Sequence, residues 1–156
     1  MNSPKPACIF LLAFNLCFPP ILTASEGYID ENGEPVEKPS SKTAHSIENP
    51  GANKEMAALH DPILVSRKLV RGLETTRILT ITVTHPIPKT RTKTTVFPIE
   101  AICLVDKDGL VVGYRSFSMD DHEISFETRL NGVINYLEIY VQCREHGTWL
   151  KKVRLT

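Results

Sequence analysis

The chain has 156 residues, room for one ordinary domain, which excludes a large multidomain enzyme. Lys and Arg number 18 and Asp and Glu 18, and a hydrophobic share of 42% gives a globular balance rather than a disordered one. A near-neutral pI argues against a general nucleic-acid binder, and no apolar run reaches the roughly 20 residues a membrane helix needs.

The N-terminus reads as a targeting segment. Lys5 supplies a short basic region, Ile9 to Phe18 is almost unbroken apolar sequence, and Pro19-Pro20 ends it. Thr23-Ala24-Ser25 places small residues where a signal peptidase reads, so residues 1–25 are expected to be a secretory signal peptide cleaved near Ser25, with the product periplasmic or secreted. A lipid anchor at Cys17 is disfavoured by the bulky Leu16 before it. Cleavage would remove Lys5, Cys8 and Cys17, leaving 17 basic against 18 acidic side chains and two cysteines, Cys103 and Cys143. In a compartment that tolerates disulfides the two can pair, which competes with any role for Cys143 as a free thiolate.

Residues 26–57 are rich in Pro, Gly, Ser and Glu, with carboxylates at 26, 30, 31, 34, 37, 48 and 55 against lysines at 38, 42 and 54. Their few hydrophobics have no period, so a flexible acidic linker is expected, with one helical turn near Asn53–Leu59. His45 reads as a solvated linker residue.

From His60 onward the pattern changes. Residues 77–84, RILTITVT, alternate in the period-2 manner of a half-buried strand. Further strand-like runs occupy 63–70, 96–105, 110–117, 123–128, 133–143 and 149–155. Asp106-Lys107-Asp108-Gly109 and Asn131-Gly132 read as hairpin punctuation. About seven short strands predict an all-β, immunoglobulin-like sandwich over residues 58–156. Within it Cys103, in Ala101-Ile102-Cys103-Leu104-Val105, reads as a small buried strand residue. No nucleophile elbow and no phosphate-cradling glycine loop occurs.

The dense group of ligand-type side chains is Cys143-Arg144-Glu145-His146-Gly147-Thr148-Trp149, a C-x-x-H-G-x-W sequence. A Cys and a His three apart at a strand end can turn both donors toward one point. Thiolate and imidazole together suit iron, zinc or copper. Gly147 lets the chain bend sharply after the His. Trp149 reads as a core or site-wall residue.

C-x-x-H-G-x-W, with His60-Asp61-Pro62-Ile63 and His85-Pro86 upstream, resembles the iron domain of the superoxide reductases, the desulfoferrodoxin and neelaredoxin family, over roughly Leu59 to Leu155. The resemblance implies a mononuclear Fe2+/Fe3+ centre. Its axial thiolate would come from Cys143 and its equatorial imidazoles from His60, His85 and His146. It implies superoxide as substrate, reduced by one electron to hydrogen peroxide, with an unidentified external electron donor, and it allows a homo-oligomer. An axial thiolate pushes electron density toward what binds opposite it.

The sequence departs from the family pattern in two places. The further His expected about six residues after His85-Pro86 is replaced by Arg91, or by Thr95 if the loop carries an insertion, and the usual Glu-Lys pair before the first His is replaced by Ala58 and Leu59. His122, in Asp120-Asp121-His122-Glu123, is a substitute ligand on paper and an exposed loop residue on the simpler reading. Lys89, Arg91 and Lys93 would favour an anionic substrate if they border the site, and otherwise form a solvated basic loop. With three imidazoles and one thiolate, zinc or copper fits as well as iron. The alternative to an exported superoxide reductase-like protein is a non-catalytic metal-binding or partner-binding sandwich, comparable to the sulfur carriers of thiosulfate oxidation.

Overall fold

In the computed structural model, residues 28–88 and 97–156 are described. The elements in chain order are β1 (His45–Ser46), α1 (Lys54–His60), β2 (Pro62–Arg71), β3 (Glu74–Val83), β4 (Ile99–Asp106), β5 (Val111–Ser116), β6 (Ser125–Asn131), β7 (Tyr136–Cys143) and β8 (Gly147–Arg154). They form a five-stranded sheet ordered β1-β8-β7-β4-β5 and a three-stranded sheet ordered β2-β3-β6, the all-β sandwich expected from the patterning. The segment expected to be a signal peptide and residues 89–96, with Lys89, Arg91, Lys93 and Thr95, lie outside the described residues.

The alternation in β3 does what period 2 requires. Leu79, Ile81 and Val83 point inward and are buried, while the residues between them are only partly covered. They meet Ile102, Leu104, Ile139, Val141 and Trp149 of the larger sheet in the main core. Arg77 continues the inward row near the sheet's far end, where its guanidinium donates to Ser66 Oγ at 3.2 Å and to the Thr156 carbonyl at 2.9 Å.

Residues 101–105 are apolar without alternation, and both of their faces are buried. Cys103, Val105, Tyr140 and Leu150 form a second, smaller core, against which Val36, Ala44, Val111 and Tyr114 pack. Two of those residues belong to the stretch expected to be a flexible linker. Its course is a packed one: β1 runs parallel to β8 with His45 beside Trp149, and Lys38 pairs with Glu138 at 3.2 Å. The physical reason is the two-sided apolar character of β4, which leaves an outer face for the segment to cover. The expected single helical turn is the seven-residue α1.

Turn chemistry was legible, but not always its destination. Asp106 to Gly109 closes the β4–β5 hairpin, with Asp106 Oδ1 accepting from the amides of Asp108 and Leu110 at 2.9 Å each. Asn131-Gly132 is not a hairpin. Gly132, at φ +86°, ends β6 and donates its N–H to Thr75 O at 2.9 Å, and the chain then crosses to β7 in the other sheet.

Candidate metal centre

Strand register brings the candidate residues to one end of the sandwich. Pro62 faces Val83 across the β2–β3 pair. Just beyond those strand ends the His60 and His85 rings meet, with centroids 4.9 Å apart. Cys143 is the last residue of β7 and faces Ile99 of β4 at the same end, where a bulge places Glu100 as the extra residue. Cys143 also faces Gly147 across the β7–β8 pair, so Arg144-Glu145-His146 is a three-residue hairpin loop. Gly147 closes the loop at φ +73°, in the left-handed region this loop type uses. The C-x-x-H spacing is therefore a hairpin geometry that returns His146 beside Cys143.

The outcome is a convergence of four side chains. One donor atom from each of His60, His85, Cys143 and His146 lies within 4.8 Å of the other three. Cys143 Sγ is 3.3 Å from His146 Nδ1 and 4.0 Å from His85 Nε2. Among the described residues, His122 is not part of this group and sits on an exposed stretch between β5 and β6. Ala58 and Leu59 are within α1.

His60 carries the sharpest information. It ends α1 with no solvent exposure, and its Nδ1–H donates to the Met56 carbonyl one turn back at 2.6 Å. That bond assigns the tautomer, leaving Nε2 with its lone pair. Nε2 is fully buried and has no protein hydrogen-bond partner. A buried polar atom without a partner is costly, and such atoms in native proteins call for an explanation. With the His85 and His146 rings 4.9 and 5.2 Å away and Cys143 in the same group, a ligand lone pair supplies one. His85 is arranged in the same way, with Nδ1 on the Pro86 carbonyl at 3.1 Å and Nε2 toward Cys143. Hydrogen-bonding the outer ring nitrogen while the inner one faces the site is how metal-binding histidines are held.

Electrostatics keep His60 ready for that role. Burial holds its pKa below the usual histidine value, opposed by the Met56 hydrogen bond and reinforced by the nearby His85, His146 and His45. A neutral imidazole is the form that binds a metal. Lys151 fixes the adjoining backbone by donating to Asp61 Oδ1 at 2.6 Å and to the Pro62 carbonyl at 3.0 Å.

Trp149 is the wall of the site. Its ring stacks on His60 at 4.9 Å with an interplanar angle of 8°, and its Nε1–H donates to the His146 carbonyl at 3.1 Å. His45, read from sequence as a solvated linker residue, places its ring 4.9 Å from Trp149. The apolar flanks Ala44 and Ile47 were the only sequence hint that this stretch is anchored.

Among the described residues the cysteines are Cys103 and Cys143, and both are free. Cys103 faces Tyr140, three residues from Cys143 along β7, or roughly 10 Å at ~3.3 Å per residue, well beyond disulfide reach. The two also belong to different cores. Burial pushes the Cys103 thiol up to about 12, so it is an inert core residue.

Fold and site together define an all-β sandwich with a cluster of three histidines and one cysteine that could hold a metal ion. No family model matches the sequence, and no curated protein matches it. Solved structures do show similarity. A hypothetical protein from Pyrococcus horikoshii OT3 is 21% identical, with 60% of this chain and 86% of that one covered and a TM-score of 0.41. The superoxide reductase (1Fe-SOR) from Giardia intestinalis is 21% identical, with 58% and 95% covered and a TM-score of 0.36. A superoxide reductase in the oxidised state is 19% identical, with 62% and 90% covered and a TM-score of 0.41.

Proposed function

We propose that this protein is an exported, superoxide reductase-like mononuclear iron protein in which His60, His85, His146 and Cys143 hold the metal. The carrying observation is the convergence of those four side chains, one of which, His60, has a buried and unpartnered Nε2. The landmarks in the sequence support the same reading, since the three histidines and the cysteine all lie in them.

When bound, iron would supply one-electron chemistry toward superoxide, and the balance is one superoxide, one electron and two protons for one hydrogen peroxide. An external reductant provides the electron, and water provides the protons. The protein's own contribution is arrangement. Met56 and Pro86 carbonyls orient the His60 and His85 rings, and the hairpin turn orients His146 against Cys143. Trp149 excludes water from one side of His60, which is fully buried, whereas His85 and His146 are only half-buried and leave the site an approach from solvent. The Cys143 thiolate is the electron-rich donor of the set.

Four donors of N₃S type also suit tetrahedral zinc or copper(I), which favours a non-catalytic metal-binding sandwich as the second reading. The deciding experiment is stoichiometric. Iron-loaded protein with a reductant should yield one peroxide per superoxide consumed and no oxygen. Half a peroxide with oxygen evolution, or no reaction, would reject the reductase reading.

A further inference from the structure

β1 is two residues long, yet the strap around it is tied to β8 at several points. Ile47 N–H donates to the Leu150 carbonyl at 3.0 Å, and Lys152 N–H donates to Glu48 Oε1 at 2.7 Å, so a side chain extends the ladder where the strand has ended. Ser46 Oγ donates to Glu48 Oε2 at 3.3 Å and accepts from Asn49 N–H at 3.1 Å, which fixes the strap internally. Ala44 packs on the outer core and Ile47 on the inner one. His45 is exposed, and none of these ties uses its side chain.

What the His45 ring does touch bears on the metal centre. It lies on Trp149 at 4.9 Å with a 38° tilt. It also covers Gly147, where a Cβ would stand 3.8 Å from His45 Nε2 and 3.9 Å from Cδ2. Trp149 is the ring stacked on His60 and the donor to the His146 carbonyl, and Gly147 directly follows His146. His45 is outside the group of four donors. It touches Trp149, which stacks on His60, and Gly147, which follows His146.

We propose that His45 is a positioning residue of the metal centre, fixing the tilt of Trp149 and the Gly147 turn so that the His60 and His146 donors stay converged. This rests on the reading of the four residues as a metal site. A strap that was merely a cover for the sheet edge would need only its backbone bonds and Ala44 and Ile47. The ring contact with Trp149 adds orientation, because an aromatic pair has a preferred geometry as well as an area.

The chain contains one tryptophan, so Trp149 reports on its own environment. In the full-length protein without metal, His45→Ala should shift Trp149 emission to the red and lower its anisotropy. With Co(II) as the probe, His45→Ala should weaken binding about three- to tenfold, the factor an aromatic contact carries, and shift the ligand-field bands. His45→Phe should restore emission, affinity and bands. If wild type binds Co(II) and His45→Ala leaves all three unchanged, or His45→Phe restores none, the positioning role is overturned while the metal site stands. A wild-type chain that takes up no Co(II) overturns the metal site itself, and this role with it.

Discussion

Replacing His60 with leucine separates a metal ligand from an ordinary core histidine. Truncating a well-satisfied buried aromatic costs about 3–5 kcal/mol. Here the opposing contributions nearly cancel in the metal-free protein. Loss of the 2.6 Å bond to Met56 costs about 0.5–1.5 kcal/mol. Loss of the stack on Trp149 costs about 0.5–1.5 kcal/mol. Removing the unpartnered Nε2 returns about 1–3 kcal/mol. Metal-free His60→Leu should therefore lie within about 2 kcal/mol of wild type at pH 7.5, or about 4–8 °C in Tm for a chain of this size. The pH dependence sharpens the test. Burial holds the folded His60 pKa below its unfolded value, so as pH falls through about 6.5 the unfolded chain takes up the proton first. Stability falls with pH there, by at most about 1.4 kcal/mol per pH unit from this group, until the folded pKa is passed. His60→Leu removes that share, so its stability relative to wild type should rise as pH falls below about 6.5. Metal reverses the order: at 100 times Kd the wild type gains about 2.7 kcal/mol, and the variant gains far less. The assay is urea denaturation after chelation, at pH 7.5 and pH 5, with and without Co(II). A loss above 3 kcal/mol in the metal-free variant would mean that His60 is a satisfied core residue, and the reasoning from its bare Nε2 would fail.

The other expectations can be checked on the same protein. Cys143→Ser should fold as wild type but lose the thiolate-to-Fe(III) charge-transfer band after oxidation, with metal affinity lowered since the soft donor is gone; an unchanged spectrum would remove Cys143 from the site. Thiol titration of the metal-free native protein at pH 8 should find Cys103 silent, because burial pushes it up to about 12; after unfolding Cys103 and Cys143 should both react, and a disulfide between them would contradict the structure. Trp149→Phe keeps a ring beside His60 but deletes the 3.1 Å bond to the His146 carbonyl, so it should cost about 1 kcal/mol more than the volume change alone; a variant as stable as wild type would mean that bond is not made in solution. Gly147→Ala, at φ +73°, should lose about 1–2 kcal/mol and loosen Co(II) binding together; stability lost without any change in binding would uncouple the turn from the site.

Much of this architecture is readable in sequence because its causes are local. Alternation marks β3, the Asp106–Gly109 turn marks a hairpin, and Cys143-x-x-His146-Gly147 marks the turn that folds ligand onto ligand. Cys143 and His146 could be named from their own spacing, whereas His60 and His85 entered only through the His-x-Pro-Ile and His-Pro elements that the superoxide reductase resemblance brings. What escaped depends on contacts with no period. Asn131-Gly132 shows that a turn exists, but whether the chain returns to the same sheet is decided by which core β7 fills. The cover over Cys103, Val105 and Tyr140 is a polar, proline-rich segment whose few apolar residues, Val36 and Ala44, are too sparse to register as a pattern. His45 became visible only once β1 lay beside Trp149.

The most direct measurement is X-ray absorption at the iron edge on protein loaded with one equivalent of Fe(II) under anaerobic conditions. Convergence of His60, His85, His146 and Cys143 predicts one sulfur and three imidazole nitrogens around the metal, with the sulfur lost in Cys143→Ser. A shell of oxygen donors alone, or a sulfur that survives that substitution, would contradict it.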